Sequence, residues 1–273
     1  MSDDYLQRFA GIARLYGRDA LDRFRAAHVA VIGIGGVGSW AAEALARSGV
    51  GELTLVDLDD LCVTNINRQI HALEDTIGHS KIGVMAQRIA AINPACEVHT
   101  VECFFSERAV NKVLIPKTSQ LCAVIDAIDV FGPKSLLLAE CRQRSIPVVS
   151  CGAAGGRTDP SRIRVADLSL THNDALLNQV RRKLRSDYGF PNGEKPRRFG
   201  IPAVFSPENA VFPQSDGSVS ADRPANLPPG LRCDAGYGSA THLTATFGFF
   251  AAGEILKRIA DNKKGGPQPP SEI

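Results

Sequence analysis

Seven cysteines (Cys62, Cys96, Cys103, Cys122, Cys141, Cys151 and Cys233) are spread along 273 residues with no CxxC pair among them. Without two such pairs, a structural zinc site of the four-cysteine kind is excluded. Several of the cysteines lie in apolar runs such as SQLCAVIDAID and read as small core residues. No run of eighteen uncharged apolar residues occurs either. The nearest, Gly236 to Ala252, is broken by His242 and several threonines, which predicts a soluble helix and no stable membrane association. The opening MSDDYLQRFAGIARLYG lacks a basic start followed by an apolar run, so no secretory signal is expected and a cytoplasmic location is. Charge excess is missing too: 31 Lys and Arg against 29 Asp and Glu leave +2, too little to imply a partner. No internal repeat stands out.

What is present is alternation. AHVAVIGI, GELTLVDL, CEVHTVECF, LCAVIDAID and IPVVSCG read as strands, and VGSWAAEALARSG, SKIGVMAQRIAAIN and GPKSLLLAECRQRS as the helices between them. Continuously apolar strands separated by crossover helices predict an α/β fold with a mostly parallel sheet covered on both faces. After Gly152 the texture changes. GAAGGRTDPSRIRV reads as loop, ALLNQVRRKLRSDYG as a basic amphipathic helix, and PQSDGSVSADRPANLPPG as a mobile segment. GSATHLTATFGFFAAGEILKRIA is predicted to close the fold as a final helix, the C-terminal half adding strands as well. The expected organisation is a Rossmann-like part over residues 1–152 with N-terminal helices, a substrate-binding part of the same globular unit over 153–262, and a disordered tail over 263–273.

VIGIGGVGSW (residues 31–40) carries the first chemical signal. Gly33, Gly35 and Gly38 satisfy GxGxxG between a strand and a helix, Gly36 lies within the loop, and Asp57 ends the next strand. The glycines let the backbone approach phosphate, the helix N-terminus favours negative charge, and the carboxylate accepts ribose hydroxyls. That pattern alone has NAD as its default. The residues after Asp57 change that default. VDLDDLCVTNINRQ packs Asn65, Asn67, Arg68 and Gln69 into five residues. A dehydrogenase has no need of a guanidinium there, whereas an enzyme that neutralises a triphosphate does. Lys81 opens the next helix as a second candidate cation. Asp126 and Asp129 follow the fourth strand, on the edge where ligands gather in parallel sheets, and are candidates to hold magnesium.

GxGGxGS, then DxD, N-x-N-R-Q, a helix-opening lysine and D-A-x-D together resemble the adenylating enzymes related to ubiquitin activation and to the activators of molybdopterin and thiamine sulfur carriers. The resemblance covers about residues 8–152. It implies ATP and Mg2+ as cofactors. Gly33, Gly35, Gly36 and Gly38 would lie along the nucleotide, Asp57 would hold the ribose, Asn67, Arg68 and Lys81 would meet the phosphates, Asn65 would be a further cofactor-binding residue, and Asp129 would bind the metal. It also implies a homodimer in which an N-terminal R-Y-x-R-Q arginine reaches the partner's triphosphate. The corresponding stretch here is RFAGIARLYG, so Arg8 matches the first arginine, the second is missing, and Arg14 is the substitute in a shifted register.

The second half, with FSPENAVFPQSDG and CDAGYGSATHLTATFG, departs from the sulfur-carrier activators and resembles the family of tRNA threonylcarbamoyladenosine dehydratases. That resemblance implies a tRNA substrate carrying threonylcarbamoyladenosine beside the anticodon. ATP would activate the threonyl carboxylate, and the side chain would then close on itself with loss of water. Cys233, beside Asp234 on a loop, is a candidate for a transient thioester, the alternative being a cysteine packed under the last helix. RRKLRSDYGFPNGEKPRR carries Arg181, Arg182, Lys183, Arg185, Lys195, Arg197 and Arg198 beside Tyr188, Phe190 and Phe199. Such clustering is expected of a phosphate-tracking surface with base stacking, the alternative being a solvated helix face. The competing functions are adenylation of the C-terminal glycine of a small sulfur-carrier protein, and a nucleotide-binding scaffold partnering a sulfur-relay protein. A dehydrogenase comes last, since nothing after Asp57 resembles a hydride-transfer site.

Overall fold

The computed structural model describes residues 3–192, 197–222 and 238–261. The expected mobile segment falls partly outside them, and Cys233, Lys195 and the tail 263–273 lie wholly outside. Three short helices, α1 (Asp3–Arg8), α2 (Ala10–Tyr16) and α3 (Arg18–Arg25), precede the alternating unit. That unit runs β1 (His28–Ile32), α4 (Gly38–Arg47), β2 (Glu52–Asp57), α5 (Lys81–Ile92) and β3 (Glu97–Glu102). It continues through α6 (Val110–Leu114), β4 (Ala123–Asp126), α7 (Phe131–Gln143) and β5 (Val148–Cys151). The remainder comprises β6 (Arg164–Asp167), α8 (Ala175–Asp187), β7 (Pro202–Phe205), β8 (Phe212–Pro213), β9 (Val219–Ser220) and α9 (Thr241–Asp261).

Seven strands form one sheet in the order β3-β2-β1-β4-β5-β7-β6. All neighbours are parallel except β6, which runs antiparallel to β7. The central strands are buried on both faces, which is why they read as unbroken apolar runs. Val29, Val31, Leu53 and Leu55 turn towards one layer with Leu45, Met85, Phe247 and Ile255. Ala30, Ile32, Val56 and Val124 turn towards the other with Val113, Leu137, Leu177 and Leu184. Alternation along each strand therefore assigns α4, α5 and α9 to one face and α6, α7 and α8 to the other. The chain winds one way from β1 through β2 to β3 and the other way from β4 to β5. The crevice beyond the C-terminal ends of β1 and β4 is thus the switch point where ligands bind in such sheets.

Two sequence expectations need correction. The front of the stretch expected to be mobile, from Pro213, belongs to a hairpin in which Phe212 and Pro213 pair with Ser220 and Val219. The stretch expected to be loop, residues 152–165, runs into β6, which the sheet captures as an edge strand although its sequence, RVAD, shows no apolar run.

Candidate active site

The glycine loop leaves β1 at the switch point and is shaped by backbone contacts. Gly33 takes a positive φ of 91°, and a Cβ there would stand 2.9 Å from the Ala127 carbonyl oxygen. A Cβ on Gly38 would fall 1.8 Å from the Gly33 carbonyl oxygen. Gly36 lies beneath Arg68 and Thr244, whereas a Cβ on Gly35 would meet no protein atom within 4 Å. The first two glycines let the chain fold on itself, and the open side at Gly35 leaves room for a ligand to approach the backbone.

Asp57, at the end of β2, accepts from the Ile34 amide at 2.6 Å through one carboxylate oxygen and from the Asp59 amide at 2.9 Å through the other. Its carboxylate is thereby locked beside the glycine loop. The NINRQ segment folds back over this loop. Arg68 Nη1 donates to the Thr64 carbonyl at 2.6 Å and to Asn67 Oδ1 at 3.1 Å. Its Nε and Nη2 carry no hydrogen bond among the described residues, so half of the guanidinium fork remains for a ligand. Asn65 is turned inward, its Oδ1 accepting from the Cys62 amide at 3.1 Å, which makes it an anchor of the turn.

Lys81, the second candidate cation, is already paired in the fold. It is buried, and its Nζ donates to Asp59 Oδ2 at 2.7 Å. An incoming phosphate would compete with Asp59 for that ammonium. Asp129 stands exposed on the loop after β4. The surrounding protein still raises its carboxyl above the ordinary range by desolvation, with Lys134 and Lys81 opposing and Asp59 adding to the rise. Asp129 thus lies near enough to Asp59 for the two carboxylates to repel one another.

Sequence reading missed three supports of this site. Trp40 Nε1 donates to the Arg68 carbonyl at 3.0 Å, and Thr244 Oγ1 to the same oxygen at 3.2 Å. Thr241 Oγ1 donates to the Asn67 carbonyl at 2.6 Å, while Asn67 Nδ2 donates to Ser239 O at 2.8 Å. The start of α9 is therefore seated on the NINRQ segment across more than 170 residues of sequence, a pairing that no local pattern announces. The third support is Lys134, fully buried on α7. It donates to Asp126 Oδ2 at 2.8 Å, to Ile128 O at 3.0 Å and to Asp126 O at 3.4 Å. Ser150 completes the shell of Asp126 at 2.7 Å. Burial pushes the Asp126 carboxyl up, and Lys134 and Ser150 oppose it.

His71, in the same loop as Arg68, is buried with neither ring nitrogen hydrogen-bonded. Burial, with Lys81 and Arg88 nearby, lowers its pKa to about 4. An unfolded histidine takes up a proton near pH 6.5, but this folded one does so only near 4. The stabilising contribution is therefore complete above about pH 6.5 and is lost as pH falls towards 4, a loss of about 3 kcal/mol. Urea unfolding across that window should show the decline, and His71→Phe should flatten it.

The basic segment resolves into two groups. Arg181 donates to Thr171 Oγ1 and to Asn178 Oδ1, Arg185 donates to the Pro191 carbonyl, and Lys183 pairs with Asp187. Arg182, Arg197 and Arg198 are exposed. Phe190 and Phe199 are not stacking platforms. They are core residues packed edge to face with ring centroids 5.0 Å apart, and Tyr188 packs against the same cluster. Their apolar rings gain more from burial than from facing solvent, and Arg142 and Arg185 cover their outer faces.

Arg8 is exposed and bonded to Asp4 at 2.8 Å, and Arg14 is exposed on α2. Their helices are anchored by Tyr5 and Phe9 on Leu21, with the Tyr5 hydroxyl donating to the Gly49 carbonyl at 2.6 Å. Gly49 precedes β2, so that anchor lies at the end of the sheet opposite the glycine loop. Among the described residues, no helix is long and apolar enough to cross a membrane.

The ThiF family profile matches residues 7–270. The chain belongs to the ThiF family. Within the ThiF family it is 50% identical over 260 residues to the tRNA threonylcarbamoyladenosine dehydratase of Escherichia coli (strain K12), a match covering 95% of this chain and 96% of that protein. Crystal structures of the E. coli tRNA N6-threonylcarbamoyladenosine dehydratase share this ThiF-family fold. The ATP complex superposes with a TM-score of 0.83 at 46% identity, covering 94% of this chain and 96% of the other. The AMP complex gives 0.83 at 48% identity with the same coverage.

Proposed function

We propose that the chain is an ATP-dependent tRNA threonylcarbamoyladenosine dehydratase. The observation that carries the reading is the crevice in which the open glycine loop, the locked Asp57 and the half-free Arg68 converge, in a chain similar along nearly its whole length to a dehydratase solved with ATP. Gly33, Gly35, Gly36 and Gly38 would follow the nucleotide backbone and Asp57 the ribose. Asn67, Arg68 and Lys81 would meet the phosphates, and Asp129 would hold magnesium, which supplies charge neutralisation on the phosphate oxygens. Asn65 supports the turn from beneath.

A carboxylate is a poor electrophile. Its oxygen attacks the α-phosphorus of ATP, pyrophosphate leaves, and an acyl adenylate forms. The ureido group of the same nucleoside then attacks the acyl carbon, its proton is lost, and AMP departs carrying the original carboxylate oxygen. The net change in the nucleoside is loss of water. Because both reacting groups belong to one molecule, positioning and charge neutralisation carry most of the catalysis. The same reading includes a homodimer in which Arg8, or Arg14 in its shifted register, reaches the partner's phosphates. Their anchorage far from their own glycine loop, and the exposed Phe249 and Phe250 on α9, support it.

Release of AMP and pyrophosphate should be stimulated by tRNA bearing threonylcarbamoyladenosine and reduced about 100- to 1,000-fold by Arg68→Ala. Stimulation by a sulfur-carrier protein, with tRNA inert, would overturn the assignment. Arg182→Ala should weaken tRNA binding and lower its salt dependence by about one phosphate contact. Unchanged affinity and slope would remove α8 from the tRNA surface.

A further inference from the structure

Two apolar side chains stand open immediately after Asp129. Val130 is 50% and Phe131 43% exposed, although α7, which Phe131 opens, is otherwise well packed. Phe131 forms one wall of a shallow groove whose other residues, Gln179, Arg182, Lys183, Ser186 and Asp187, come from α8. Asp187 is neutralised by Lys183, leaving Arg182 as the uncompensated charge along the groove. The groove begins two residues from the loop position assigned to magnesium and ends on the cations of α8. It combines an exposed aromatic ring, a cation and amide or hydroxyl groups along one groove.

We propose that Phe131 is the platform on which an unpaired base of the tRNA anticodon loop stacks, with Arg182 holding the adjoining phosphate. The inference rests on the tRNA reading above and assigns to that reading an aromatic residue that Phe190 and Phe199, being core residues, do not supply. RNA loops are recognised by bases splayed onto aromatic side chains beside phosphate-tracking arginines. Phe131 meets both needs: its ring is open, and α8 places a guanidinium across the groove. A base stacked there would hold its neighbour, the modified nucleoside, at the mouth of the ATP crevice. That adjacency is why this groove fits the substrate better than a distant basic patch would.

The test measures binding of a fluorescent anticodon stem-loop RNA carrying threonylcarbamoyladenosine to the full chain and to Phe131→Ala, Phe131→Leu and Phe131→Tyr. ATP affinity by calorimetry reports whether each variant keeps a folded nucleotide site. Phe131→Ala and Phe131→Leu should both bind RNA about 5- to 100-fold more weakly, while Phe131→Tyr should stay within about threefold of the parent. Leucine retains apolar contact and loses only the π face, so RNA binding by Phe131→Leu equal to Phe131→Tyr would overturn the stacking role. Parental RNA affinity in Phe131→Ala would overturn it also. If the unaltered protein binds ATP but neither this RNA nor whole tRNA, and instead binds a carrier protein, the tRNA reading itself fails and the platform with it.

Discussion

Gly38→Ala is expected to destabilise the protein and abolish detectable ATP binding, whereas Gly35→Ala should leave stability unchanged and weaken ATP binding about tenfold or more. The two glycines are three residues apart in one loop, but their surroundings differ. An added Cβ at Gly38 would lie 1.8 Å from the Gly33 carbonyl oxygen, a backbone atom, so the loop must open to admit it. Gly33 cannot yield easily. Its amide donates to the Val56 carbonyl at 2.8 Å, and it turns at positive φ against Ala127. Overpacking of this kind costs about 1–3 kcal/mol, and the displaced loop no longer presents its amides to phosphate. At Gly35 the added methyl meets no protein atom within 4 Å and enters the open side of the loop. Thermal unfolding and ATP calorimetry on the two variants separate the effects. Normal ATP affinity in Gly35→Ala would place the nucleotide elsewhere.

Lys134→Met should cost about 3–5 kcal/mol of stability, the largest single-residue loss expected outside the apolar core. Lys134 and Asp126 are both fully buried, and the ammonium is shared among the Asp126 carboxylate, its carbonyl and the Ile128 carbonyl. Removing the cation strands a carboxylate in the centre of the sheet and leaves the Ile128 carbonyl with one donor fewer. The double substitution Lys134→Met with Asp126→Leu removes both charges and should recover most of the loss, since a buried pair replaced by apolar side chains of similar volume is often neutral. Chemical denaturation of the two variants is the measurement. Equal stabilities would show that the two charges are not coupled. The segment Ala127–Asp129 lies between these anchors, so the single variant should also bind magnesium-ATP more weakly.

Much of the fold was legible because burial wrote itself into the sequence. Five of the six parallel strands were visible in the sequence, β1, β2, β4 and β5 as apolar runs, and those four are buried where that was expected. β3 is the informative case. Four of the six residues in its sequence EVHTVE are polar, as befits an outer strand, and it was recognisable through its flanks rather than its core. β6 was not recognisable at all, because an edge strand that pairs on one side needs little apolar surface.

The site was legible to a different depth. GxGGxGS, DxD and NxNRQ lie together beyond the C-terminal ends of the strands, where spacing along a parallel unit sends them. What spacing does not carry is which side chains face one another once the chain has closed. Lys81, a candidate cation for the phosphates, is paired with Asp59, and Asn65, a candidate nucleotide contact, braces a turn. Phe190 and Phe199 lay beside cations in sequence and went into the core, while Phe131, just ahead of the helix read from the sequence, stands open beside Arg182. Lys134 was hidden for the same reason. A lysine in a helix reads as solvated until the sheet places a buried aspartate beneath it.

The most direct measurement is a mass spectrum of nucleosides from tRNA bearing threonylcarbamoyladenosine, incubated with this protein, magnesium and ATP and worked up mildly. The modified nucleoside should lose the mass of water, only when ATP is present, and Arg68→Ala should abolish the change. An unaltered nucleoside mass, with ATP bound and the tRNA engaged, would contradict the assignment of this crevice to the dehydration of threonylcarbamoyladenosine.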